Sequence, residues 1–210
     1  MKIYYTFFIL ILIYLYLSNF NLINEPFDET KSVVNIYENV SKDMFEKIIN
    51  NKSPTIFQNI NVKLNISKSN DLKLTEKIKQ IFKPYIIPYS IIHNYNIHNE
   101  NIHSYTPIVK QTHYRYLYLL LSGVKKIILF SPKQINNLYT QSDISPVNFW
   151  DQDPEKFPKF ESIKYIELEL NAYEMLFIPY NWWYTIYSET DSVSISSNSE
   201  SLPSYFLKYN

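Results

Sequence analysis

All four histidines of the chain, His93, His98, His103 and His113, fall in one stretch between Ile91 and His113. Imidazole is the commonest metal-ligating side chain, so three rings at intervals of five residues invite a metal reading. A helix returns to the same face after three or four residues and a strand after two, so that spacing aligns the rings on neither. The stretch is also thick with Asn and Tyr, and it reads as a polar surface loop rather than a metal site. Asp151-x-Asp153 lies in a segment rich in Pro and Asp and reads as a solvated turn. With no cysteine, a single glycine and no carboxylate pair of telling spacing, the chain gives little support to thiol, phosphate-transfer or glycoside chemistry.

The elements that would position any site are mostly strands. Tyr116–Leu121, Lys125–Phe130, Ile163–Leu170, Glu174–Ile178, Trp183–Tyr187 and Val193–Ser197 read as extended, and Ile166, Leu168 and Leu170 alternate with Glu167, Glu169 and Asn171. Strands joined by short turns, without helices between them, imply a sandwich or jelly roll. Ahead of them, Ser41 caps a helix with Met44, Phe45, Ile48 and Ile49 in one stripe, and Pro54–Phe57 begins a strand. Asp71–Phe82 forms a second amphipathic helix closed by Pro84. Residues 131–160 are a long excursion between strands.

Two runs carry a resemblance. Ser122-Gly123-Val124-Lys125, continuing to Pro132, and Glu174-Met175-Leu176-Phe177-Ile178-Pro179-Tyr180-Asn181-Trp182-Trp183-Tyr184 resemble the JmjC-type, cupin-like family of Fe(II)- and 2-oxoglutarate-dependent oxygenases. The resemblance implies a mainly β fold, a double-stranded β-helix (jelly roll) with N-terminal helices. It also implies a facial triad of His-x-Asp/Glu and a distant His, which leaves open positions on iron for 2-oxoglutarate and oxygen. Carried onto this chain, the triad falls on Lys110, Thr112 and Tyr184, and a shift of one residue offers Val109 and Gln111 for the first two. An ammonium, a hydroxyl and a phenol are poor substitutes for two imidazoles and a carboxylate. Lys125 matches the lysine that pairs with the far carboxylate of 2-oxoglutarate, and Tyr116 stands where many relatives keep an Asn. The resemblance therefore implies a catalytically silent member with a vestigial cosubstrate lysine, no bound cofactor and a binding or structural role. The alternative is an active hydroxylase that holds Fe(II) and 2-oxoglutarate with an unorthodox set drawn from His103, His113 or the other histidines of the loop.

Ile3–Phe20 carries no charge, and eighteen helical residues at ~1.5 Å each come close to the ~30 Å of a bilayer core. Residues 1–20 thus read as a signal anchor, 21–40 as a linker and 41–210 as the cupin-like domain. Lys2 precedes the segment and Glu25, Asp28 and Glu29 follow it, which favours a single-pass protein with its domain on the lumenal side. The sequons at Asn39, Asn51 and Asn65 would be usable there. The partner expected for residues 3–20 is the membrane, and nucleic acid is not expected, because 20 Lys+Arg balance 20 Asp+Glu.

Overall fold

The computed structural model describes residues 2–23, 34–62, 71–85, 90–201 and 205. Helix α1, Lys2–Ile23, is 22 residues long, which at ~1.5 Å per residue is about 33 Å. Its described side chains, Tyr4–Tyr14, are uncharged, mostly apolar and exposed all round. That portion is shorter than a bilayer, and among the described residues no helix is long and apolar enough to cross a membrane. The expected linker is also shorter than 21–40. Its far end, Asn35–Glu38 (β1), is a strand paired in parallel with Thr55–Gln58 (β2), which puts the start of the folded domain ahead of residue 41. Residues 24–33 and the sequon at Asn65 lie outside the described residues.

Eight further strands follow: β3 Ser90–Glu100, β4 Val109–Lys110, β5 Arg115–Ser122, β6 Val124–Phe130, β7 Ile166–Asn171, β8 Met175–Ile178, β9 Trp183–Ser188 and β10 Ser192–Ser201. They divide into a six-stranded sheet, β1-β2-β8-β5-β10-β3, and a four-stranded sheet, β4-β9-β6-β7. The order within β3–β10 is that of a jelly roll, and among the described residues every strand pairing but β1–β2 is antiparallel. The stretch expected as a histidine loop is therefore largely a strand. In β3, an offset of five puts His93 and His98 on opposite faces of the sheet.

Three apolar layers explain the sequence pattern. Helix α2 (Lys42–Asn50), held at its start by the Ser41 hydroxyl accepting from the Met44 N–H at 3.3 Å, buries Phe45, Ile48 and Ile49. With Ile78 and Phe82 of α3 (Asp71–Phe82), these cover Leu117, Leu119 and Leu121 on the outer face of the large sheet. Between the sheets lie Tyr116, Tyr118, Leu120, Ile127, Leu129, Leu170, Leu176 and Trp182. Beyond the small sheet, the 131–160 excursion, which contains a 3-10 turn at Pro132–Asn137, folds Leu138, Val147 and Phe160 onto Ile128, Phe130 and Trp183. Strand β5 thus reads as an unbroken apolar run because both of its faces are covered.

The sole glycine sits where the chain passes from one sheet to the other. Gly123 has φ +90°, and a Cβ there would stand 2.6 Å from the backbone oxygen of Asp191. Gly123→Ala is expected to cost about 2 kcal/mol or more, from the left-handed backbone together with the clash. Urea titration would check this, and a loss below about 0.5 kcal/mol would remove the argument.

Candidate functional site

The pocket that a jelly roll offers lies between its sheets, so the question is which side chains point inward. Residues directly opposite one another in an antiparallel ladder share a face. Val109 is opposite Tyr184, and Lys110 is opposite Trp183. Trp183 belongs to the outer layer with Ile108, so Lys110 is turned away from the interior. It forms an ion pair with Asp143 at 3.8 Å. Thr112 lies half-buried in the connection to β5. The three positions that the resemblance assigns to iron, Lys110, Thr112 and Tyr184, are not brought to one face.

Val109 and Gln111 are the inward pair. The ladder is prolonged by the Gln111 N–H donating to the Trp182 carbonyl at 2.7 Å and the Asn181 N–H donating to the Gln111 carbonyl at 2.9 Å. The Gln111 amide is spent on the backbone of His113, to which its nitrogen donates at 3.0 Å and from which its oxygen accepts at 3.1 Å. Tyr184 lies against Tyr116 with ring centroids 5.6 Å apart and planes at 29°, and Tyr116 continues to Tyr118 at 6.4 Å. Aromatic rings fill this end of the interior. Burial raises the Tyr184 phenol above its ordinary value and holds Tyr116 well above it. Phenolate, the form that binds iron, is therefore disfavoured.

The remaining histidines do not assemble a substitute. His93 faces the helices beside Phe45, Phe82 and Arg115. The His98 Nε2 is 2.9 Å from the Ser196 hydroxyl, and burial lowers its affinity for a proton. His103, at φ +65° in a turn, has Nδ1 2.7 Å from the Tyr187 hydroxyl. His113 has Nδ1 2.7 Å from Glu200 and Nε2 3.2 Å from the Asn198 amide. Among the described residues, no three His, Cys, Asp or Glu side chains are placed to hold a metal. The donor set does not fit an iron centre of the family type.

Lys125 is where the sequence put it, on β6, yet it is no surface charge. Opposite Leu170 and Ser188, it points inward and is 0% exposed. Its ammonium crosses the interior to the carboxylate of Glu100, the last residue of β3, and donates to the Ser188 hydroxyl at 3.1 Å. The Tyr118 hydroxyl accepts from Ser194 at 2.7 Å and donates to the same Glu100 oxygen at 3.5 Å. Burial holds the Lys125 ammonium below the usual lysine value, and Glu100 partly restores it. Burial, reinforced by the Glu100 charge, raises the Tyr118 phenol far above its ordinary value. Glu100 was the participant missed in the sequence. It lies within the polar stretch between Ile91 and His113, whose sequence reads as a loop, and only the β3–β10 register, with Glu100 opposite Ser192, turns it inward.

The cupin-like domain family matches residues 89–200, more than half of the chain. The chain belongs to the cupin-like domain family. Its relatives include JmjC domain-containing protein D of Dictyostelium discoideum, 44% identical over 79 residues, which are 35% of this chain and 18% of that protein. The tRNA wybutosine-synthesizing protein 5 of Homo sapiens is 35% identical over 97 residues, 44% of this chain and 31% of that protein. Jumonji C domain-containing protein 5 of Drosophila melanogaster is 32% identical over 79 residues, 35% of this chain and 20% of that protein. The cupin-like chain thus spans less than a third of the length of these curated relatives.

Proposed function

We propose that this cupin-like protein is a catalytically silent relative of the JmjC oxygenases, tethered to a membrane by residues 3–20, with its domain serving a binding or structural role. The observation that carries the reading is the register of β4 on β9. It presents Val109 and Gln111, rather than an imidazole and a carboxylate, to the face shared with Tyr184. Tyr116 and Tyr118 fill the space beside it.

An active hydroxylase built on His103 and His113 finds no such support, since each ring is already bonded to a neighbour, Tyr187 in one case and Glu200 with Asn198 in the other. Action on tRNA, suggested by the name of one relative, sits poorly with a chain whose 20 basic and 20 acidic residues cancel.

The test is metal content and turnover. Full-length protein purified in detergent and incubated anaerobically with Fe(II) is expected to retain far less than one iron per chain and to consume no 2-oxoglutarate. Stoichiometric iron with turnover lost in His113→Ala would establish the hydroxylase reading instead. For the tether, translation in the presence of microsomes is expected to leave the chain in the alkali-resistant membrane fraction, with endoglycosidase-sensitive mass on Asn39 or Asn51. Extraction by alkali would remove that part of the reading.

A further inference from the structure

The ion pair between Lys125 and Glu100 asks for an explanation beyond packing. An ammonium with no exposed surface is costly to bury, and two charges taken out of water stabilise a fold only when geometry and extra hydrogen bonds compensate. Here the extra bonds are present. Ser188 accepts from Lys125, and Tyr118, itself held by Ser194, donates to Glu100. An ammonium flanked by two hydroxyls is a cradle for a carboxylate. It is built from three strands, β5, β6 and β9, and the carboxylate that occupies it comes from the edge strand β3.

The Glu100 side chain is 23% exposed, so it enters from the rim of the interior, on the side open to solvent. The geometry points to Glu100 as an internal occupant of a carboxylate-binding cradle centred on Lys125, so that the chain's own side chain takes the place an external carboxylate would fill. This inference rests on the assignment of Lys125 as the former cosubstrate lysine, and its consequence is that 2-oxoglutarate is expected to find the cradle already full. Its ligand class is a small mono- or dicarboxylate admitted only when the Glu100 side chain is withdrawn.

Full-length Glu100→Ala and Glu100→Gln proteins, alongside wild type, would be melted in chloride and then in acetate, glutarate or 2-oxoglutarate at matched ionic strength. Glu100→Ala empties the cradle and is expected to gain about 3 °C in melting temperature at carboxylate concentrations ten times the dissociation constant. Wild type is expected not to move. Glu100→Gln, which keeps the volume while removing the charge, is expected not to move either, and adding Lys125→Met to Glu100→Ala should abolish the gain. If Glu100→Ala folds only when a carboxylate is present, the inference is equally supported.

An equal response from wild type, a gain that survives Lys125→Met, or no gain in Glu100→Ala would each overturn it. Iron measured on the same wild-type samples separates the two readings. Bound iron would sink catalytic silence whatever the carboxylates do, whereas a metal-free chain with an unresponsive Glu100→Ala would sink only the occupied cradle.

Discussion

A triple variant carrying Val109→His, Gln111→Asp and Tyr184→His is expected to gain a divalent-metal site, whereas Lys110→His, Thr112→Asp and Tyr184→His is not. The two sets differ by one residue of register, and in a strand one residue reverses the face. Val109 is directly opposite Tyr184, which in an antiparallel pair places their Cβ atoms ~5 Å apart, and Gln111 follows two residues on along the same face. Imidazole, carboxylate and imidazole then meet as a facial set. Lys110 instead shares its face with Trp183 and reaches Asp143.

Removing the Tyr184 ring also makes room, because that ring now stacks on Tyr116. Losing the Gln111 amide, which ties down the backbone of His113, will cost some stability. Zinc or manganese at a hundred times its dissociation constant should return about 2.7 kcal/mol, visible as a metal-dependent rise in melting temperature and as retained metal after gel filtration. Equal behaviour of the two triples, or metal held only by the Lys110 set, would refute the register argument.

Trp183→Ala is expected to remove about 3–5 kcal/mol, a large part of the stability of any single domain. Trp183 is almost fully buried, and it is the residue through which β9 meets Ile108, Phe130, Leu138 and Phe160. The 131–160 excursion has little regular structure of its own, and this apolar contact joins the Trp150–Thr185 and Ser145–Ile108 hydrogen bonds in attaching it. Urea unfolding with both far-ultraviolet circular dichroism and tryptophan fluorescence would measure the loss. A change below about 1 kcal/mol would mean that the excursion contributes no real core.

The strands from β5 onward were legible because their apolar residues either alternate or run unbroken, and both patterns have a simple cause in one or two covered faces. Ile166, Leu168 and Leu170 point inward as the alternation requires, and the Ser41 cap holds the helix that begins after it. Strand β3 was not legible. Periodicity detects apolar residues against polar ones, and the inward residues here include His98 and Glu100, facing Ser194 and Ser192. With a polar interior, the alternation vanishes from the sequence while the pairing remains.

The site was half legible for the same reason. Residue types alone disqualified Lys110, Thr112 and Tyr184 as an iron set. Which neighbour faces inward, and what Lys125 meets, depend on register and on a partner 25 residues away. The family resemblance located Lys125, but it carried no information about Glu100.

Strand β5 has a consequence for how the molecule comes apart. Leu117, Leu119 and Leu121 belong to the helical side, while Tyr116, Tyr118 and Leu120 belong to the space between the sheets. One backbone therefore holds both cores in register, and peeling α2 and α3 away would slacken the opposite face of the same strand. Melting should be all-or-none, with no stable species in which one layer has detached while the others persist.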